Sequence, residues 1–212
     1  MNRYLIFTDL DGTLLDHENY SYGNNKKTIT SIINNENDVI FNTSKTFSES
    51  INLLKKLNLT NMPFSTENGA LLYFPKNRFK KIKNSSDYGK YWKIRIAKLS
   101  SKNWHQFLLK KQKKFKLLIA QDLPSKILKK YTNLDNTSKM LNREASQIIL
   151  WEDSFSNLRK FINELRSEKQ GVLIQGSRFM QVSSVCNKRI AKKLISHVCL
   201  LYTSPSPRDS SK

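Results

Sequence analysis

Asp9 and Asp11 follow an apolar run, Tyr4 to Phe7, and are themselves followed by Gly12. Residues two apart on extended backbone point to the same side, so both carboxylates can face one reactant while Leu10 turns into the core. The run reads as a central strand of a parallel sheet, and in open α/β sheets ligands sit beyond the carboxyl ends of such strands. Gly12 lets the backbone turn sharply there. Paired acids in this position suit a hard Mg²⁺ ion, which takes carboxylate oxygens together with water and substrate phosphate and offsets the repulsion between neighbouring anions. One acid can attack phosphorus while the other carries protons. The plainer alternative is an acidic turn without chemistry, because Asp and Gly are ordinary turn residues.

The elements that must position these acids alternate as a doubly wound α/β sheet requires. Ile29, Ile32 and Ile33 fall at helical spacing, and Val39-Ile40-Phe41 forms a short strand that ends at Asn42-Thr43-Ser44-Lys45. Thr46-Phe47-Ser48-Glu49 reads as a capping box, opening a helix with Phe47, Ile51 and Leu54 on one stripe. Phe64 leads into Ser65-Thr66-Glu67-Asn68-Gly69-Ala70, and Leu71 to Phe74 is a further strand closed by Pro75. From about Asn84 the texture shifts to basic helices and short strands, which predicts an inserted second domain. Within it, Trp104 to Lys114, Pro124 to Thr132 and Asp135 to Asn142 read as helices and Ile148 to Trp151 as a strand. Ser154 caps a helix with an apolar face, and Gly171 ends it. Val172 to Ile174 and Phe179 to Val182 are expected to pair as a hairpin. The last helix is expected over Asn187 to His197.

Composition bounds the function classes. The 212 residues are 38% hydrophobic and 10% aromatic, enough for one substantial core or a core with a modest second domain. There is no run of eighteen apolar residues, which predicts neither a membrane span nor a signal peptide and hence a cytoplasmic protein. Cys186 and Cys199 are too few for a disulfide framework or a cysteine zinc cluster. A formal charge of +20 attracts phosphate esters and nucleic acid alike. Lys110 to Lys116, with Trp92 and Trp104 upstream, offers a possible nucleic-acid footprint. A solvated helix face is the reading preferred here, since lysine accompanies abundant Asn and Ile throughout.

The full string Phe7-Thr8-Asp9-Leu10-Asp11-Gly12-Thr13-Leu14-Leu15-Asp16 resembles the first motif of the haloacid dehalogenase superfamily of phosphohydrolases. Thr43 at the tip of the second strand and Lys188 at the start of the last helix complete the order of that superfamily's motifs one to three. The resemblance implies a Rossmann-like parallel-sheet core with an inserted α+β cap of the C2 type. It makes Asp9 the nucleophile, Asp11 the acid and base, Thr43 a hydroxyl donor to phosphate and Lys188 the balancing charge, with Asp9 and Asp11 also holding Mg²⁺. A charge about 4 Å from phosphate is worth roughly 4 kcal/mol at an effective dielectric near 20.

The match is narrower still. Asn42-Thr43-Ser44-Lys45-Thr46, Glu67-Asn68-Gly69-Ala70, Arg143-Glu144-Ala145-Ser146 with Trp151, and Gln175-Gly176-Ser177-Arg178-Phe179 resemble the mannosyl-3-phosphoglycerate phosphatases. That family implies hydrolysis of mannosyl-3-phosphoglycerate to mannosylglycerate, a compatible solute, and phosphate. It implies substrate contacts from Ser44, Lys45, Glu67, Asn68, Gly69, Arg143, Ser146 and Arg178. The arginines suit bidentate capture of a carboxylate or phosphate, or alternatively brace the cap. Gln181 departs from the His that relatives often carry. Glucosyl-3-phosphoglycerate or another sugar phosphate is the alternative substrate, and a basic nucleic-acid-binding module on the same scaffold is the alternative of another class.

The expected division is 1–81 with 184–198 for the core, 82–183 for the cap, and 199–212 for a tail. Cys199 to Asp209 resembles a translated sequencing adapter and shows neither helical nor strand period. The family's fourth motif, which supplies further acids to the metal, has no counterpart after Lys188. An impaired site and an unpaired sheet edge are therefore expected of this chain.

Overall fold

The computed structural model describes residues 3–16, 23–132, 137–176 and 179–203. His17, Ser177, Arg178 and the stretch 204–212 lie outside the described residues.

Strand β1 (Leu5–Thr8), helix α1 (Asn25–Asn34), strand β2 (Asp38–Asn42), helix α2 (Phe47–Lys56) and strand β3 (Phe64–Thr66) make successive crossover units. β1, β2 and β3 are parallel neighbours, with Thr8 level with Phe41 and Phe41 level with Phe64. A 3₁₀ turn, Glu67–Gly69, then reverses the chain into β4 (Leu71–Pro75), which pairs antiparallel with β3. β5 (Ser86–Tyr88) and β6 (Tyr91–Arg95) extend the same sheet, whose order is β1-β2-β3-β4-β6-β5.

Alternation along β2 explains the two faces. Val39 and Phe41 pack with Ile29, Leu54, Phe64 and Tyr73, against the side covered by α1 and α2. Ile40, between them, turns to the opposite face. The Thr46–Glu49 capping box forms as its sequence predicts, with Thr46 Oγ1 accepting from the Glu49 N–H at 3.3 Å and Glu49 Oε2 accepting from the Thr46 N–H at 2.9 Å.

The second sheet follows. Helix α3 (Ser101–Lys111), β7 (Leu117–Ile119), α4 (Ser125–Thr132), α5 (Ser138–Leu141), β8 (Ser146–Trp151), α6 (Phe155–Lys169), β9 (Gly171–Gln175) and β10 (Met180–Ser184) build an antiparallel sheet of order β7-β8-β10-β9. Trp104, Phe107, Phe115, Phe161 and Leu165 fill the core on its helix-covered face. The expected hairpin is present, with Gln181 level with Ile174. Helix α7 (Lys188–Thr203) returns to the first sheet, where Ala191, Ile195 and Val198 pack on Ile40, Leu72 and Phe74. Helices therefore cover both faces of the first sheet, as in a doubly wound fold.

Three expectations differ from this arrangement. β1, read as central, pairs only with β2 and is the edge of its sheet among the described residues, so its residues are half-buried and not sealed. Residues 86–95, assigned to the insertion from position 82 onward, belong to the first sheet, because Trp92, Ile94 and Ile96 join its core while flanking lysines hide the pattern. Cys199 to Thr203, read as aperiodic tail, continues α7. Cys199 is 1% exposed there, and the Tyr202 ring lies 5.4 Å from that of Phe79.

Candidate active site

The carboxyl ends of β1, β2 and β3 open on one rim, and the first residues of α7 meet them. After β1 the chain closes on itself: the N–H groups of Thr13, Leu14 and Leu15 all point at the Leu10 carbonyl, at 3.3, 3.1 and 2.8 Å. Gly12 takes φ +68° in this turn, a conformation that costs an L side chain about 1–2 kcal/mol. Leu10 is wholly buried and anchors the turn, so Asp9 and Asp11 are left on the rim, with side chains 37% and 34% exposed.

Each acid meets one lysine. The Leu10 N–H fixes Asp9 Oδ1 at 2.8 Å, and Asp9 Oδ2 forms an ion pair and hydrogen bond with Lys188 Nζ. Asp11 Oδ1 stands 2.8 Å from Lys45 Nζ. That contact is ionic without hydrogen-bond alignment, so this buried oxygen has no hydrogen-bond donor among the described residues. Register places Thr8 level with Phe41, so Asp9 and Thr43 each follow the carboxyl end of neighbouring parallel strands. Asn42 positions the last helix, since its Nδ2 donates to the Lys188 carbonyl at 2.8 Å while its Oδ1 accepts from Ser65 Oγ at 2.5 Å.

Thr43 is buried, and its Oγ1 accepts from the Lys45 N–H at 3.1 Å, which curls the loop Thr43-Ser44-Lys45 around the strand end. The turn after β3 holds that loop from the other side. Glu67 and Asn68 occupy left-handed backbone at φ +50° and +59°, strained for side chains of their size. Their N–H groups donate to the Lys45 and Thr43 carbonyls, both at 2.9 Å. At Gly69 an added Cβ would lie 2.5 Å from the Asn187 carbonyl oxygen, so only glycine lets α7 approach closely enough to bring Lys188 to Asp9.

Several residues expected to touch substrate have protein partners in this structure. Glu67 is 1% exposed, and its carboxylate accepts from the N–H groups of Glu144 and Ala145, at 2.8 and 3.1 Å, and from Ser146 Oγ at 2.5 Å. It is a tie between the two sheets, and Ser146, wholly buried, is bound to it. Gly69 serves close packing. Asn68 Nδ2 donates to Gln181 Oε1 at 2.9 Å, so the residue that departs from the family's His is held by a side chain of the turn between β3 and β4. Arg178 lies outside the described residues.

Arg143 differs from these. It is 9% exposed, and its Nη1 donates to Ser146 Oγ at 3.1 Å and weakly to the Ser44 carbonyl at 3.4 Å. Its Nε is buried with no hydrogen-bond partner among the described residues. No carboxylate among the described residues forms an ion pair with it.

Sequence reasoning assigned no role to Glu144 or Asn42. The Glu144 carboxylate meets Lys93 at 2.7 Å and the Tyr73 hydroxyl at 3.2 Å. Burial pushes its acidity down, but the Lys93 hydrogen bond and charge, with hydroxyl bonds from Tyr73 and Tyr88, prevail and hold the carboxyl below the usual glutamate range. Burial and then the same carboxylate drive the Tyr88 hydroxyl up to about 12. The only sequence signal for this network was the acid inside Arg143-Glu144-Ala145-Ser146.

The basic run has a structural use. Lys111 pairs with Glu164 and Glu168 at 2.6 and 2.5 Å, and Lys114 pairs with Glu164. Trp104 is wholly buried inside the second sheet's core, so it offers no face for a base.

No helix among the described residues is long and apolar enough to cross a membrane. The search of solved structures finds the same fold in a haloacid dehalogenase-like hydrolase from Bacteroides thetaiotaomicron, at TM-score 0.64 and 14% identity over 92% of this chain and 77% of that one. A second protein from that organism, described as one of the phosphatases of the haloalkanoate superfamily, matches at TM-score 0.61 and 12% identity over 93% and 72% of the two chains. A Thermoplasma acidophilum protein matches at 0.62 and 16% over 93% and 71%. The family model described as haloacid dehalogenase-like hydrolase matches residues 6–199. That span takes in β1 through most of α7 and every described residue of the rim, and the chain belongs to the haloacid dehalogenase-like hydrolase family.

Proposed function

We propose that this chain is a magnesium-dependent phosphatase of a sugar phosphate that carries a second anionic group, with mannosyl-3-phosphoglycerate as the first substrate to test. The observation that carries the reading is the ion pair between Asp9 Oδ2 and Lys188, at the carboxyl ends of the parallel strands β1 and β2, the second of which leads into Thr43. A carboxylate oxygen and a cation held together there suit attack on phosphorus and neutralisation of the phosphoryl oxygens.

In this reading Asp9 Oδ2 attacks phosphorus and the ester oxygen leaves, taking a proton from Asp11. The aspartyl-phosphate on Asp9 is then hydrolysed by water that gives its proton to Asp11, which restores both acids and releases phosphate. Lys188 moves from Asp9 to the phosphoryl oxygens, and Thr43 donates its hydroxyl proton to them. The buried Asp11 oxygen, without a hydrogen-bond donor among the described residues, and the Asp9 carboxylate, about a third exposed, are hard oxygen donors that fit Mg²⁺. When bound, the ion offsets the charge of the acids and the phosphate. No group of three His, Cys, Asp or Glu side chains gathers among the described residues, and in this reading millimolar Mg²⁺ is expected to be needed.

Arg143 supports the second anion. Among the described residues this buried guanidinium has no carboxylate, a costly arrangement, and a carboxylate on the substrate would offset that cost while occupying Nε. The test is magnesium-dependent phosphate release from mannosyl-3-phosphoglycerate, glucosyl-3-phosphoglycerate and a hexose phosphate without a carboxylate. The reading predicts preference for the glycerate esters. Equal rates on all of them would remove the substrate assignment and leave the reaction class.

A further inference from the structure

A groove of about 1010 Å³ lies between α2 and the β5–β6 turn, away from Asp9, Asp11 and Lys188, none of which lines it. Its apolar wall includes Phe47, Tyr88 and Tyr91, with Phe47 meeting the two tyrosine rings edge-on at 80° and centroid distances of 5.0 and 5.8 Å. Lys55, Lys76 and Lys90 also line it. Lys76 is paired with Asp87 at 2.5 Å, whereas Lys55 and Lys90 are exposed and have no carboxylate partner among the described residues. The groove therefore combines a wide aromatic wall with uncompensated positive charge.

That combination selects among ligands. Inorganic phosphate would satisfy the lysines and leave the aromatic wall wet, while a neutral aromatic would ignore the charge. The space is at the upper end of what small-ligand sites use, roughly 300–1,000 Å³. A flat heterocycle can stack on the aromatic wall while a short phosphate chain reaches the ammonium groups. We infer that this groove binds a nucleoside phosphate, with the base against Phe47 and Tyr88 and the phosphates between Lys55 and Lys90. The site is distinct from the rim and does not depend on the phosphatase reading.

Isothermal titration of the whole chain with ADP, in EDTA so that no turnover proceeds, tests it. A saturable single site is expected, with adenosine and inorganic phosphate each binding at least about tenfold more weakly than ADP. Lys55→Glu with Lys90→Glu should weaken ADP about tenfold or more. Both lysines are exposed, and an unchanged circular dichroism spectrum will show that the fold is kept. Lys188→Met should leave ADP affinity within about twofold, whereas Tyr88→Ala should weaken it about fivefold by removing stacking. Absence of saturable binding overturns the inference. So does binding that inorganic phosphate reproduces, or binding lost with Lys188→Met and kept in the double lysine variant.

Discussion

The rim and the seam between the two sheets both hold a pair of acids, and they hold them in opposite ways. At the rim, Asp9 and Asp11 are about a third exposed and each meets one lysine. At the seam, Glu67 is buried with three donors on its carboxylate, and Glu144 is gripped by Lys93 and Tyr73. A carboxylate that must exchange partners during a reaction needs exposure and few bonds. One that fixes two units against each other needs burial and saturation, because a bond lost there leaves buried groups unsatisfied.

The sharpest way to break this comparison is to remove each acid and ask what fails. Asp9→Asn is expected to lower phosphate release by at least about 10³-fold while the thermal midpoint stays near that of the parent chain. Glu67→Ala is expected to do the reverse in kind. It strands two buried N–H groups and a hydroxyl, so denaturant titration should show a loss of about 3 kcal/mol. Loss of activity in Glu67→Ala without loss of stability would move Glu67 to the rim's side of the comparison.

Arg143 stands between the two classes, since it is buried like the seam yet its Nε has no partner among the described residues. Arg143→Met should raise KM for a glycerate ester by about 10- to 100-fold, the worth of a charged hydrogen-bonded contact. It should leave a hexose phosphate within about threefold, and equal effects on both would make Arg143 a brace.

The smallest effect concerns acid. Glu144 has its folded pKa below the ordinary value of about 4.3, so the stability it contributes is present above that pH and is lost as pH falls through the folded value. Thermal melts should show the parent chain losing stability below about pH 4 more steeply than Glu144→Gln.

How legible the molecule was follows from the range of the forces involved. The Thr46–Glu49 box, the alternation of Val39, Ile40 and Phe41, and the acid pair after β1 are local patterns, and each appeared where its spacing placed it. The antiparallel extension over 86–95 was hidden because Lys90 and Lys93 interrupt an apolar stripe that only pairing with β4 reveals. Cys199 to Thr203 lacks helical period, yet Val198, Cys199 and Tyr202 pack against residues far away in sequence, and that packing carries the helix onward. The same limit explains the site. Asp9, Asp11, Thr43, Lys45 and Lys188 were legible as types at strand and helix ends. The saturation of Glu67 by residues some 77 to 79 positions later was not, because one sequence position does not record who donates to it.

The most direct test of the central claim is chemical. The chain is incubated with acetyl phosphate and millimolar Mg²⁺, quenched in acid, digested and analysed by mass spectrometry. The account predicts one phosphoryl group on the peptide containing Asp9, sensitive to hydroxylamine and absent from Asp9→Asn. Phosphate release that persists in Asp9→Asn, or a phosphoryl group found on another residue, would contradict it.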